Sequence, residues 1–171
     1  FYIGPGEWNI ENMVLSDNQT LYISGGAVVH GIANANFAKN VTVCGRGIID
    51  NSNLEGWKGR SASVPLKFDN CQDVTIDGII GDGMSIQSTK SAKITNSFVR
   101  AWDDALVVKN YDENSANISF KNIQVWTDLA QSMEIGYETN KGQKEKSRIT
   151  NVSFEDITIL HNFHKPALSI H

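Results

Sequence analysis

Asp73-Val-Thr-Ile76, with Met84-Ser-Ile86 a few residues on, is one copy of a unit that decides the fold of this chain. Each half reads as a short strand. The first half recurs as Thr20-Leu-Tyr-Ile23, Asn40-Val-Thr-Val43, Lys93-Ile-Thr-Asn96, Asn117-Ile-Ser-Phe120 and Asn151-Val-Ser-Phe154. Its aliphatic positions, Leu21, Val41, Val74, Ile94, Ile118 and Val152, lie 20, 33, 20, 24 and 34 residues apart. The second half recurs as Leu66-Lys-Phe68, Leu106-Val-Val108, Met133-Glu-Ile135 and Leu168-Ser-Ile170, each falling after a member of the first set and, but for the last, before the next.

Both sets alternate with period two, the signature of strands with one buried face. A repeat of twenty-odd residues, built of strands, is one turn of a solenoid. The longer intervals then carry a loop, and the polar stretches Asn51 to Ser63 and Tyr137 to Ser147 are the expected insertions. No window keeps apolar residues at helical spacing over three turns, and no hairpin turns call for a sandwich. The expected fold is all-β: a right-handed, single-stranded parallel β-helix occupying residues 1–171 as one domain.

Composition bounds the function. With 171 residues, 40% of them hydrophobic, the chain can fill one core. Its net charge of −4, with Lys and Arg scattered apart from Lys141, Lys144, Lys146 and Arg148, argues against a nucleic-acid partner. No apolar run is long enough to span a bilayer. The chain starts at Phe1 without a signal peptide, as expected of a fragment or trimmed form of a longer chain. Cys44 and Cys71 fit a disulfide or two free thiols equally. Asn-x-Ser/Thr triplets at Asn18, Asn40, Asn117 and Asn151 read as turn-entry residues of the repeat rather than glycan acceptors, because three of them share the register position of Asp73 and Lys93.

The chemistry concentrates in Ser97-Phe-Val-Arg-Ala-Trp-Asp-Asp-Ala-Leu-Val-Val-Lys109. Asp103 and Asp104 are adjacent carboxylates within an apolar strand pattern. Like charges in such a place resist ionising together, a property suited to acid–base work. Asp82 stands 21 residues before Asp103, about one coil away, and stacked coils bring such residues to about the 4.8 Å spacing of paired strands. An Asx turn at a strand entrance explains Asp103 and Asp104 equally well taken alone.

Phe1-Tyr-Ile-Gly-Pro-Gly-Glu-Trp8, Asn18-Gln-Thr-Leu-Tyr-Ile-Ser-Gly-Gly-Ala-Val-Val-His-Gly31 and Val41-Thr-Val-Cys-Gly-Arg-Gly-Ile-Ile-Asp50 resemble the opening coils of the polygalacturonase-like (family 28) glycoside hydrolases, in the pectin-lyase-like β-helix superfamily. Gly81-Asp-Gly-Met-Ser-Ile86 and Asp103-Asp-Ala-Leu-Val-Val108 resemble that family's Asp-Gly and Asp-Asp motifs. Dextranase and isopullulanase relatives share the logic of three aspartates on the helix. The resemblance implies a glycoside hydrolase that cleaves O-glycosidic bonds in a poly- or oligosaccharide with inversion and without a cofactor. It implies Asp103 as general acid, with Asp82 and Asp104 holding and deprotonating the water. A secreted or periplasmic location goes with such a substrate.

The departures narrow the substrate. Where the family carries Gly-His-Gly, this chain reads Ala130-Gln-Ser-Met-Glu-Ile-Gly-Tyr137, with Gln131 at the His position. Where it carries Arg-Ile-Lys, this chain reads Ser169-Ile-His171. Loss of the cations that grip uronates points away from plain polygalacturonate. Trp102, Tyr137 and, second to them, Trp126 are expected sugar platforms. Gln131, Glu134, His171 and Arg100 are expected sugar contacts. His161, His164 and His171 lack the spacing of a zinc site, so no metal is expected. Two other classes fit the same pattern: a polysaccharide lyase using Ca²⁺, and a non-catalytic carbohydrate-binding β-helix or adhesin.

Overall fold

In a computed structural model, which describes residues 1–51, 64–139, 147–163 and 165–171, every regular element is a strand. Of the expected insertions, Asn51 to Ser63 and Tyr137 to Ser147, residues 52–63 and 140–146 lie outside the described residues, as does His164. Coil one holds β1 (Tyr2–Ile3) and β2 (Gly6–Leu15); coil two holds β3 (Thr20–Ile23) and β4 (Ala27–Asn36). Coil three holds β5 (Lys39–Gly45), β6 (Ile48–Asp50) and β7 (Leu66–Asp69). Coil four holds β8 (Gln72–Asp77), β9 (Ile80–Gly81) and β10 (Met84–Gln87), and coil five β11 (Lys90–Thr95), β12 (Phe98–Ala101) and β13 (Leu106–Asn110). Coils six and seven hold β14 (Ser115–Thr127), β15 (Met133–Thr139), β16 (Ile149–Asn162) and β17 (Leu168–Ile170).

All pairings are parallel and link each coil to the next, as a parallel β-helix requires. Three sheets run along it. The first joins β1, β3, β5, β8, β11 and the starts of β14 and β16. The second joins the starts of β2 and β4 to β6, β9, β12 and the ends of β14 and β16. The third joins the ends of β2 and β4 to β7, β10, β13, β15 and β17. Two sets of strands are legible in the sequence; the second sheet is not, because its middle strands are only two to four residues long.

The third sheet stacks as the spacing predicts: Leu66, Met84, Leu106, Met133 and Leu168 form one inward column. In the first sheet the register slips. The sequence spacing aligns Leu21 with Val41, Val74 with Ile94 and Ile94 with Ile118, whereas the structure pairs Leu21 with Val43, Val74 with Ala92 and Ile94 with Phe120. Each difference is two residues. A slip of two keeps every side chain on its face, so hydrophobic alternation cannot detect it.

What fixes the register is a column of left-handed residues. Asn18, Asn40, Asp73, Ser91, Asn117 and Asn151 all have φ between 52° and 64°. Ser91, not Lys93, occupies the turn-entry position in its coil, and Asn18 joins the other three triplet asparagines there. Asn and Asp tolerate this conformation better than other side-chain-bearing residues. Their amides also bridge coils: Asn40 Nδ2 donates to Asn18 Oδ1 at 3.0 Å, and Asn151 Nδ2 to Asn117 Oδ1 at 2.7 Å.

The core is the inward columns. Leu21, Val43, Ile76, Ile94 and Phe120 from the first sheet meet Phe68, Ile86 and Val108 from the third, all of them fully buried. Gly45 permits the tightest approach: at φ 130°, a Cβ there would lie 1.9 Å from the carbonyl oxygen of Ile23. Cys44 and Cys71 are free thiols, the first half-buried and the second buried.

Candidate active site

In coils one and two the chain passes from the second sheet to the third within a single bent strand, but in coils four, five and six the corner opens into a turn. In coil four this turn is Asp82-Gly83, in coil five Trp102 to Ala105, and in coil six Asp128 to Ser132. The turns stack on backbone hydrogen bonds: Met84 N donates to Ala105 O at 2.7 Å and Ala105 N to Gln131 O at 3.0 Å. Gly83 fits closely under the next turn, where a Cβ would stand 3.1 Å from the Asp104 carbonyl oxygen. Every residue of the two acidic motifs is thereby carried to one rim of the solenoid.

Asp103 is exposed at the tip of its turn, beside Trp102, which is 60% exposed. Its Oδ1 accepts a hydrogen bond from Asp104 N at 2.9 Å, so a local Asx-type contact at the strand entrance is present. Asp104 is half-buried, and its Oδ1 accepts from Gln131 N at 3.1 Å across the coil boundary. Burial and the charge of Asp103 push the Asp104 carboxyl above the usual carboxylate range, against the pull of the Gln131 N–H and Lys109. Gln131 thus enters the site through its backbone.

Asp82 occupies the equivalent corner one coil earlier, but its electrostatic company differs. It lies one residue past Gly81, which pairs with Ile49 on one side and Val99 on the other, so it falls in line with Asp50 and Arg100. Burial raises its carboxyl first and the charge of Asp50 second, while the Asn51 N–H and Arg100 oppose the rise. Its strongest charged neighbours are therefore on the second sheet.

Arg100 belongs to the same stripe. It forms an ion pair with Asp128 at 3.2 Å and lies 5.7 Å from the Trp126 ring centroid. Trp126 Nε1 donates to Asp128 Oδ1 at 2.8 Å, and its ring stacks on His161 at 4.8 Å. Trp126 is half-buried in this stack, so its outward face is already used. Tyr137 is 67% exposed, with His171 against its edge at 5.2 Å. Ser169 Oγ and His171 Nε2 lie 2.7 Å apart.

The sequence marks Glu134 as a sugar contact on a strand; the structure puts it deeper. Glu134 pairs in register with Val107 and Ser169 on the third sheet, and its side chain is buried, with the residue 2% exposed. Its Oε1 has no hydrogen-bond partner among the described residues. Asp104 and Glu134 are electrostatic neighbours, each perturbing the other's carboxyl. Burial, then the charge of Asp104, raises the Glu134 carboxyl to about 7. Nearby, burial works against the Lys109 ammonium, yet its hydrogen bond to Glu138 prevails and raises it. Among the described residues no group of three or more His, Cys, Asp or Glu side chains is arranged to hold a metal ion.

The comparisons with known proteins give a fold neighbour. No protein-family model matches the chain, and no curated protein matches it. Among solved structures it is similar to a protein of Parabacteroides merdae ATCC 43184 provisionally described as a glycosyl hydrolase. The two share 17% identity with a TM-score of 0.48, over 93% of this chain and 80% of the other.

Proposed function

We propose that this chain is a glycoside hydrolase acting on a poly- or oligosaccharide, with its centre on the turn between β12 and β13. The observation that carries the reading is the placement of two carboxyls on one turn: Asp104, half-buried and fixed by the Gln131 N–H, and Asp103, exposed next to an exposed tryptophan. Glycosidic hydrolysis requires one carboxylic acid at the leaving oxygen and one carboxylate that activates water. In this reading Asp103 protonates the leaving oxygen while Asp104 takes a proton from the water, whose oxygen attacks the anomeric carbon from the opposite face. The product has inverted configuration. Trp102 supplies an apolar face for a sugar ring. The Ser169–His171 contact, in place of paired cations, favours a neutral glycan over polygalacturonate.

The test is reducing-end release from a panel of plant and bacterial polysaccharides, with proton NMR of the first-formed anomer. We expect Asp103→Asn and Asp104→Asn each to lower release by about 100-fold or more, the range of a lost general acid or base. Release unchanged in both variants would end the reading.

A further inference from the structure

An inverting hydrolase needs a group that holds the attacking water beside its base, and the sequence resemblance gives that place to Asp82. The side chains give it to another residue. We propose, building on the hydrolase reading above, that Glu134 is the partner with which Asp104 holds and deprotonates the attacking water.

Three observations converge on it. First, position: β13 and β15 pair with Leu106 opposite Met133 and Val107 opposite Glu134, while Gln131 N donates to Asp104 Oδ1. The Glu134 side chain therefore stands on the outer face of the third sheet, next to the turn that carries Asp104, and the two carboxyls perturb each other. Second, the buried Oε1 of Glu134 has no partner among the described residues. A buried carboxyl oxygen is normally satisfied. Here one oxygen is left open on a carboxyl that stands between the β13 strand following Asp104 and the Ser169 strand, a place where it can take up a water's hydrogen bond. Third, Asp82 is engaged elsewhere, in line with Asp50 and Arg100 on the second sheet.

The charged groups around the pair are Asp103 and Asp104 from the β12–β13 turn, Lys109 from β13 and Glu138 from β15; His171 follows β17. Lys109 is bound to Glu138, which leaves the pair with net negative surroundings. Two neighbouring carboxyls in such a place resist ionising together and hold one proton between them. In turnover the water gives its proton to Asp104, and its oxygen forms the bond to the anomeric carbon. The glycosidic C–O bond breaks as Asp103 delivers its proton to the leaving oxygen. The pair, now carrying two protons, returns one to solvent, and Asp103 takes one back. Water and one glycosidic bond are consumed, two hydroxyls are formed, and the enzyme's proton count is restored.

The experiment compares Glu134→Gln, Asp82→Asn and Asp104→Asn, each checked for wild-type circular dichroism, on the best-cleaved polysaccharide of the panel. Glu134→Gln should lower kcat about 100-fold or more with KM within about threefold, and should remove the limb of the pH–rate profile that the pair sets. Asp82→Asn should cost no more than about tenfold in kcat, with its effect chiefly in KM. Near-wild-type kcat in Glu134→Gln, with Asp82→Asn as impaired as Asp104→Asn, would overturn the assignment and restore Asp82. If the wild type releases reducing ends from no polysaccharide, the hydrolase reading itself falls. The pairing is then decided by ¹³C NMR of labelled carboxyls: a Glu134 midpoint that drops in Asp104→Asn supports it, and one that is unaffected refutes it.

Discussion

Replacing Glu134 with Gln should flatten the pH dependence of folding stability, and the size of the effect follows from where the carboxyl sits. In the folded chain burial and Asp104 raise its pKa from an ordinary 4.5 to about 7. Between those values the native state holds a proton that the unfolded chain has released. Stability therefore falls as pH rises through this window; Glu134's favourable contribution is complete below pH 4.5 and gone above about pH 7. At about 1.4 kcal/mol for each tenfold change in proton affinity, the swing is about 3 kcal/mol. The side chain is 2% exposed, so solvent does little to reduce it. Gln keeps the volume and has no charge to bury. Equilibrium urea unfolding, followed by the fluorescence of the four tryptophans, would compare both proteins from pH 4.5 to 8.5. With a urea m-value of about 2 kcal/mol/M, the wild-type midpoint should fall by about 1.5 M more than that of the variant across this range. Parallel profiles for the two proteins would show that Glu134 ionises freely and that the coupling to Asp104 is absent.

Gly45→Ala drives a Cβ into the Ile23 carbonyl oxygen, a backbone atom that cannot move aside, and should destabilise by more than about 4 kcal/mol; loss of the folded far-ultraviolet dichroism checks it. Asn117→Ala places a plain Cβ at φ 58° and removes the acceptor of the Asn151 amide, for about 2 kcal/mol in thermal unfolding. Asn117→Gly should lose about half as much, because it keeps the conformation and loses only the bond. Trp102→Ala removes an exposed ring, so the unfolding midpoint should stay within about 0.5 kcal/mol while KM for the cleaved polysaccharide rises about tenfold.

The third sheet could be read from the chain residue by residue, since every copy of its three-residue motif stacks as the pattern says. The first sheet could be read only to within two residues. Alternation identifies the inward face of Ile94 but not its neighbour along the axis, and the arbiter is backbone conformation at Ser91 and its equivalents. Serine at that position carries no Asn-like signature. The second sheet escaped because a strand as short as Ile80–Gly81 has no period to detect. At the site, adjacency of Asp103 and Asp104 was visible from their place before Leu106-Val-Val108. The burial of Glu134 was not: it sits at an outward position of its strand, where a glutamate ordinarily meets water, yet in the folded chain it is buried. A signal existed in retrospect. Met133-Glu-Ile135 falls in the same frame as Met84-Ser-Ile86 and Leu106-Val-Val108, whose middle residues, Ser85 and Val107, are also buried.

That frame makes the rim behave like a ruled scale. Ser85, Val107, Glu134 and Ser169 occupy one outward column, each a strand spacing from the next. A functional group moved from coil six to coil four would travel about 10 Å along the axis and otherwise keep its bearing. Separations between reactive groups on different coils therefore change in steps rather than continuously. A protein of this build can adjust the reach of its chemistry by exchanging which rung bears a carboxylate, without redesigning a single turn.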